Sequence, residues 1–245
     1  MERSESTAAT YELARPPYGL PFFAEVAEAI GLDRSQRLLD VGTGPGILAI
    51  GFAPYCRSVT GVEPEPAMVD AARAAAIRGG VSLHVTAGRL EDLPDSPGAF
   101  DVVTIGRAIQ WLDPKAVYQK LDRIVAAGGR IVVCHADSVI DGRNPWLETF
   151  IGVLRRFGGE RASCDERSFF DGSRFQRRRT ITVETTYLVP ILRFAQELLS
   201  LSASPAGPGD RISEMREAMR EAMAHFATEG VIDDIVAARA DVFEG

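Results

Sequence analysis

A run of apolar residues ends in an acid and passes straight into three closely spaced glycines: Leu38-Leu39-Asp40-Val41-Gly42-Thr43-Gly44-Pro45-Gly46. No other stretch constrains the chain as strongly. Leu38 to Val41 reads as a buried strand, the glycines as a tight turn, and Ile47-Leu48-Ala49-Ile50 as the start of a helix. Glycine admits positive φ and leaves room for a ligand to lie against the main chain. Amides exposed at a helix start are then expected to face whatever binds there. A strand, a glycine turn and a helix in this order point to an α/β fold that holds a nucleotide-like ligand.

Two ligands fit such a turn, a dinucleotide and S-adenosylmethionine. A dinucleotide site uses G-x-G-x-x-G, whose third glycine lets the helix pack close to the strand. Gly42 and Gly44 satisfy the first two positions, but Ile47 occupies the third, and the remaining glycine falls one residue early at Gly46. Asp40, ahead of the turn, is also foreign to that fingerprint. The next strand candidate, Ser58-Val59-Thr60-Gly61-Val62, ends in Glu63. An acid about 20 residues beyond the first glycine suits a carboxylate that accepts hydrogen bonds from ribose hydroxyls. The plainer reading of Glu63 is an acid at the start of the following helix, where negative charge is favoured.

Two more strand candidates come next, each with a polar tail. Val81 to Thr86 leads into Gly88-Arg89-Leu90-Glu91-Asp92-Leu93-Pro94, and Phe100-Asp101-Val102-Val103-Thr104-Ile105-Gly106 leads into Ala108-Ile109-Gln110-Trp111-Leu112-Asp113-Pro114. In this order the motifs resemble the class I S-adenosylmethionine-dependent methyltransferases, in particular a small-molecule branch patterned E-x-LP, FD-x-V and HWFD. The resemblance runs from Tyr11 to Cys134, because Tyr11 and Arg15-Pro16-Pro17-Tyr18 are similar to that family's lead-in segment.

The resemblance implies a Rossmann-like doubly wound sheet of about seven strands, mostly parallel with an antiparallel last strand, plus a helical insertion or lid. It implies S-adenosylmethionine as cofactor and a small-molecule acceptor. Asp40 would organise the loop and help hold the methionine amine. Gly42 and Gly44 would pass close to the methionine and ribose, with Gly106 facing them from the fourth strand. Glu63 would hold the ribose, Pro64 and Met68 would flank the adenine, and Leu90 and Glu91 would meet its edge. The position before Leu90 is often acidic in the family. Here it is Arg89, which has donors but no acceptor for the adenine amino group. Tyr11, Arg15, Tyr18, Gln110 and Trp111 would line the acceptor side. Gln110 stands where the family often has histidine, and glutamine cannot act as a base. The best-placed base is then His135, read as lying just beyond a fifth strand over Arg130 to Cys134, with Asp137 and Asp141 in the same loop. Packing roles for Met68, Trp111 and His135 are the plainer alternatives.

Composition narrows the field. The chain has 245 residues, 46% of them hydrophobic, and a formal net charge of -7, which disfavours a nucleic-acid partner. The one concentrated basic run, Arg177-Arg178-Arg179, reads as a solvated strand edge or loop. Three scattered cysteines (Cys56, Cys134, Cys164) and three scattered histidines suggest reduced thiols and no metal site. No apolar run approaches the roughly 20 residues that span a bilayer, and the N-terminus has no hydrophobic signal region. A cytoplasmic protein without membrane contact is expected.

The expected organisation is one methyltransferase domain over residues 1–245. An N-terminal arm and helix occupy 1–30, the cofactor core 31–135, and acceptor-side insertions and helices 136–179 and 190–229. Asp113 as N-cap and Pro114 in the first turn begin a helix with Val117, Leu121, Ile124 and Val125 on its apolar face, stopped by Gly128-Gly129. Pro145 to Phe157 and Pro190 to Leu201 are expected helices, Thr180 to Tyr187 a sixth strand, and Val231 to Phe243 the last strand. Arg211 to Thr228 is a helix whose stripe of Ile212, Met215, Met219, Met223 and Phe226 reads as core. Two competing functions remain. One is an NAD(P)-dependent oxidoreductase. The other is a non-catalytic cofactor-binding or assembly protein of the same fold, suggested by Arg89 and Gln110.

Overall fold

The computed structural model describes residues 15–96, 98–157, 169–201 and 209–245; Tyr11 and Cys164 lie outside them. The strands are β1 (Arg37–Val41), β2 (Ser58–Glu63), β3 (Leu83–Ala87), β4 (Phe100–Gly106), β5 (Val125–Ser138), β6 (Gln176–Pro190) and β7 (Val231–Glu244). They form one sheet in the order β3-β2-β1-β4-β5-β7-β6. The pairs from β3 through to β5 are parallel, and β7 runs antiparallel to both β5 and β6. The chain steps outward from β1 to β3 and returns on the other side of β1 with β4. This reversal opens a crevice beyond the carboxyl ends of β1 and β4.

Among the described residues the α-helices are α1 (Leu20–Ala29), α2 (Ile47–Phe52), α3 (Pro66–Arg78), α4 (Pro114–Ile124), α5 (Leu147–Arg156), α6 (Ile191–Leu201) and α7 (Gly209–Ala224). β1 and β4 are apolar almost throughout because both of their faces are covered. Phe22, Val26, Phe52, Leu38 and Val102 share the core under α1 and α2. On the opposite face Leu39, Val103, Ile105, Val117, Leu121 and Ile124 pack under α4. Asp113 caps α4, its Oδ1 accepting from the Ala116 amide at 2.8 Å. A third core lies in the helical cap of α5, α6 and α7, around Trp146, Phe150 and Phe194. Met215, Met219 and Met223 are buried in it, so the methionine stripe is packing.

The fifth strand is longer than the sequence predicts. α4 ends at Ile124 and β5 begins at Val125, so Gly128 and Gly129 lie within the strand and do not stop the helix. β5 also continues past Cys134 to Ser138, because β7 pairs with it from Arg130 to Ser138. His135 and Asp137 therefore stand on a strand and not in a loop. β6 likewise runs beyond the expected Thr180–Tyr187, held by β7 along its whole length. The Arg177 to Arg179 run sits at its start on the exposed sheet edge. Charge on an edge discourages pairing with other chains.

α1 and α2 meet closely at Gly51, where an added Cβ would fall 2.2 Å from Phe23 Cζ. Phe23 cannot retreat, because its ring packs edge-on against Phe22 and Phe52 with centroids 5.6 and 5.0 Å away. Gly51→Ala is expected to lower the unfolding free energy by about 1–3 kcal/mol in a denaturant titration. Gly152→Ala, at an exposed position of α5 with nothing within 4 Å, is expected to be neutral or mildly stabilising.

Candidate functional site

The glycine turn sits at the mouth of the crevice. Gly42, Gly44 and Gly46 all have positive φ, at 64°, 53° and 90°. At Gly42 glycine is required twice over, since a Cβ would also lie 2.6 Å from the Ala108 Cβ. The expected row of free amides is not what the turn presents. The Gly42 and Thr43 amides donate to the Val62 carbonyl at 2.9 and 3.1 Å, and the Gly46 amide donates to the Thr43 carbonyl at 2.8 Å. The Gly44 amide donates to Glu63 Oε2 at 2.9 Å. The turn supplies shape, and the acids beside it supply charge.

Asp40 lies on the floor of the turn, 2% exposed. Its Oδ2 accepts from the Thr43 hydroxyl at 2.6 Å and its Oδ1 from the Thr104 hydroxyl at 2.7 Å. Thr43 belongs to the turn and Thr104 to β4, so one carboxylate joins the turn to the neighbouring strand. Burial pushes the Asp40 carboxyl up to about 6. The two threonine hydroxyls and the Ala49 amide oppose the rise, and the nearby Glu63 charge adds to it. Glu63 is buried at the end of β2, its Oε2 on the Gly44 amide and its Oε1 accepting from the Glu65 amide at 3.0 Å. A carboxylate has about four acceptor sites, so each oxygen keeps capacity for a ligand hydroxyl.

Other expected residues gather around the same crevice. Pro64 is exposed and Met68 half-buried in the first turn of α3. The Leu90 side chain is buried in the core under α4, which leaves only its backbone for a ligand. Arg89 is exposed, and its amide donates to Asp92 Oδ2 at 3.0 Å. That bond engages Asp92, and Glu91 beside it is half-buried. Gly106 ends β4, where a Cβ would collide with Leu48 Cδ1 at 2.4 Å. Gln110 is exposed and donates from Nε2 to the Arg107 carbonyl at 2.9 Å. Trp111 is 83% exposed, so it does not pack in the core. The short turn Ile109–Trp111 buries Ile109 in its place.

Arg107 belongs to the segment after β4 that is expected to face the crevice, but the role of its side chain there is not legible in the sequence. It has φ 54°, a left-handed conformation that strains a residue with a Cβ. Its Nη2 donates to the Pro16 carbonyl and, at 3.3 Å, to the Ala136 carbonyl. Its guanidinium lies 4.8 Å from the centroid of the Tyr18 ring. The Tyr18 hydroxyl in turn donates to the Cys134 carbonyl at 3.0 Å. Arg107 and Tyr18 thus fasten the N-terminal segment, with half-buried Arg15, across the ends of β4 and β5. Thr104 is more legible, as a lone hydroxyl in an otherwise apolar strand. On the other face of β5, His135 Nε2 and Asp137 Oδ2 are 2.5 Å apart, both half-buried. Asp141 is turned away into an ion pair with Arg143 at 2.7 Å.

The raised Asp40 pKa makes stability depend on pH. Below its ordinary value of 3.8 the carboxyl is protonated in folded and unfolded chains alike and contributes nothing. Between that value and about 6 the unfolded chain gives up the proton first, so stability falls as pH rises. The full cost, about 3 kcal/mol, applies above the folded value. Asp40→Asn is expected to gain stability over the parent that is absent near pH 3 and grows toward that size by about pH 7. Denaturant titrations of the ligand-free chain across this range measure it.

Residues 39–133 match the family described as methyltransferase domain. An uncharacterized methyltransferase of Mycobacterium tuberculosis is 29% identical over 153 residues, which span 62% of this chain and 59% of that protein. A ubiquinone biosynthesis O-methyltransferase of Pseudomonas aeruginosa is 33% identical over 134 residues, 52% of this chain and 54% of its own. The chain thus aligns with less than two thirds of the length of these relatives. A SAM-dependent methyltransferase from Thiobacillus denitrificans, solved with S-adenosyl-L-homocysteine, has the same fold. It matches with a TM-score of 0.56 at 14% identity, over 99% of this chain and 98% of that one. These likenesses show that residues 39–133 are similar to a methyltransferase domain and that the chain has the fold of S-adenosylmethionine-dependent methyltransferases of known structure.

Proposed function

We propose that this chain transfers a methyl group from S-adenosylmethionine to a small-molecule acceptor by in-line displacement. One observation carries the reading. Two buried acids, Asp40 and Glu63, flank a left-handed glycine turn at the reversal point of the sheet, each held by protein donors and each with acceptor capacity to spare. The cofactor supplies an activated methyl group on a sulfonium. The chain's own residues bind, orient and exclude water.

In this reading Asp40 shapes the turn and places negative charge under the methionine amine. Gly42 and Gly44 let the methionine and ribose approach the backbone, and Gly106 keeps the end of β4 low beside them. Glu63 accepts from the ribose hydroxyls, Pro64 and Met68 flank the adenine, and Leu90 and Glu91 meet its edge. The acceptor enters over β4 and β5, past Arg15, Tyr18, Gln110 and Trp111. A lone pair on the acceptor forms the bond to the methyl carbon, and the electron pair of the carbon–sulfur bond returns to sulfur. An acceptor that must lose a proton gives it to His135, which Asp137 orients at 2.5 Å. The Pseudomonas relative, named for O-methylation in ubiquinone biosynthesis, supports a small-molecule acceptor. A formal charge of -7 argues against a nucleic-acid one. The buried thiols of Cys56 and Cys134, outside any disulfide, suit a cytoplasmic setting, and no described helix is long and apolar enough to cross a membrane.

Calorimetry is expected to show binding of S-adenosylmethionine and none of NAD; the reverse result overturns the reading. Glu63→Ala is expected to weaken cofactor binding by about 1–3 kcal/mol, the scale of lost charged hydrogen bonds. Unchanged affinity would show that the ribose lies elsewhere. His135→Asn is expected to leave cofactor affinity unchanged while lowering kcat and flattening the acid limb of the pH–rate profile. An unaltered profile removes His135 from the proton path.

A further inference from the structure

A second group of buried polar side chains lies next to the crevice and has no part in binding the methyl donor. Beyond Ala136, β5 ends at Ser138, while β6 and β7 run on together with Thr185 opposite Val236 and Tyr187 opposite Asp234. Side chains alternate between faces of a strand. Ser138, Asp234 and Tyr187 therefore share the face that carries Cys134, Ala136 and Tyr18. Over them lies α6. Its Arg193 contacts Asp234 Oδ2 at 2.5 Å and Glu197 Oε2 at 3.5 Å, with the three side chains 7%, 0% and 3% exposed.

The group is not saturated. Among the described residues Arg193 Nε, Asp234 Oδ1 and Ser138 Oγ are buried without a hydrogen-bond partner, and Arg193 Nη2 has the long 3.5 Å contact to Glu197. Buried polar atoms are ordinarily paired, because leaving one unmade costs free energy. Three such atoms come from three different elements, with Ser138 opposite Val236 and Asp234 the next residue of β7 on the same face, and they mark a seat for a polar group more than three separate defects. Charge says which group. One guanidinium faces two carboxylates, so an entering carboxylate or phosphate meets net negative charge. A neutral group that both donates and accepts satisfies Asp234 and Arg193 together.

We propose that the Ser138–Asp234–Arg193 cluster seats the polar end of the methyl acceptor and selects a hydroxyl or carboxamide over an acid. The inference rests on the crevice being the methyl-transfer site. Position supports it. Arg107, at the crevice, donates to the Ala136 carbonyl, and Ser138 stands two residues further along β5, about 7 Å away. Tyr187 approaches the N-terminal segment from the other side, where a Cβ on Gly19 would lie 2.5 Å from its hydroxyl oxygen. This face of β5 is opposite that of His135, so the inference concerns an acceptor that gives no proton to that histidine.

Trp146 gives a direct readout. It is buried, its Nε1 donates to the Asp233 carbonyl at 3.0 Å, and its ring lies 4.6 Å from Phe194, the neighbour of Arg193. The chain has two tryptophans, so Trp111→Phe leaves Trp146 as the sole reporter. In that background, saturated with S-adenosylhomocysteine, benzamide and benzyl alcohol are expected to change the fluorescence saturably and benzoate is not. Ser138→Ala is expected to weaken benzamide about tenfold, with an unchanged far-UV spectrum and melting temperature. Asp234→Asn, which removes one negative charge, is expected to admit benzoate. The proposal is overturned if benzoate binds the parent as well as benzamide does, if Ser138→Ala binds unchanged, or if no probe gives a saturable response in protein that binds S-adenosylhomocysteine by calorimetry. Failure to bind S-adenosylhomocysteine at all refutes instead the methyltransferase reading on which the inference rests.

Discussion

The crevice depends on a carboxylate held where carboxylates are costly. Asp40 is buried between β1 and β4, and ionising it there is unfavourable enough to lift its pKa to about 6. The two hydroxyls that make the position tolerable come from different elements, Thr43 in the turn and Thr104 in β4. Thr104 is in place only once β4 has docked on β1, in register from Leu38 opposite Val102 to Val41 opposite Ile105, and Thr43 once the turn has closed on the Val62 carbonyl of β2. Strand pairing, the turn and the charge are thus mutually dependent, which makes the site a consequence of the fold and ties its order to the central strands. A ligand cation placed near this carboxylate would favour its ionised form and so offset part of the cost.

A second set of interdependent residues closes the crevice from the side. Arg107 holds an unfavourable backbone conformation and directs its donors to the Pro16 and Ala136 carbonyls, while Tyr18 stacks beneath it and reaches the Cys134 carbonyl. Local strain persists only where the surroundings over-determine it. Three segments far apart in sequence meet here, at the ends of β4 and β5.

The family match ends at residue 133, within β5. The remainder of the chain pairs β5 with β7, adds the long edge strand β6 and builds a helical cap with its own core of aromatic and methionine side chains. The two halves solve different problems. The matched half builds a cofactor cleft from short parallel strands. The cap packs on the continuation of the same sheet through a separate cluster of apolar residues, so substitutions that reshape the acceptor side need not disturb the glycine turn.

Much of the first half was legible in the sequence. Period and turn chemistry marked β1, the glycine turn, β2 and the capped helix α4, since apolar runs bounded by glycine or by Asp-Pro leave the local backbone few choices. The acids Asp40 and Glu63 stood out by position at strand ends. The length of β5 was not legible, because its last residues, His135 to Ser138, become strand only through pairing with β7, about a hundred residues away. Of the two readings of Trp111, the packing one fails, because Ile109 takes the buried place and leaves the indole outside. Arg107, with ordinary neighbours in the chain, owes its place to backbone carbonyls on two distant segments. Local pattern was enough for the fold class, the strand–turn–strand frame and the acids of the cofactor side, because each of these is written within a few consecutive residues. The clasp over the crevice, the His135–Asp137 pair on a strand and the polar cluster under α6 were settled only in three dimensions, because each depends on groups or strand pairings supplied by distant elements.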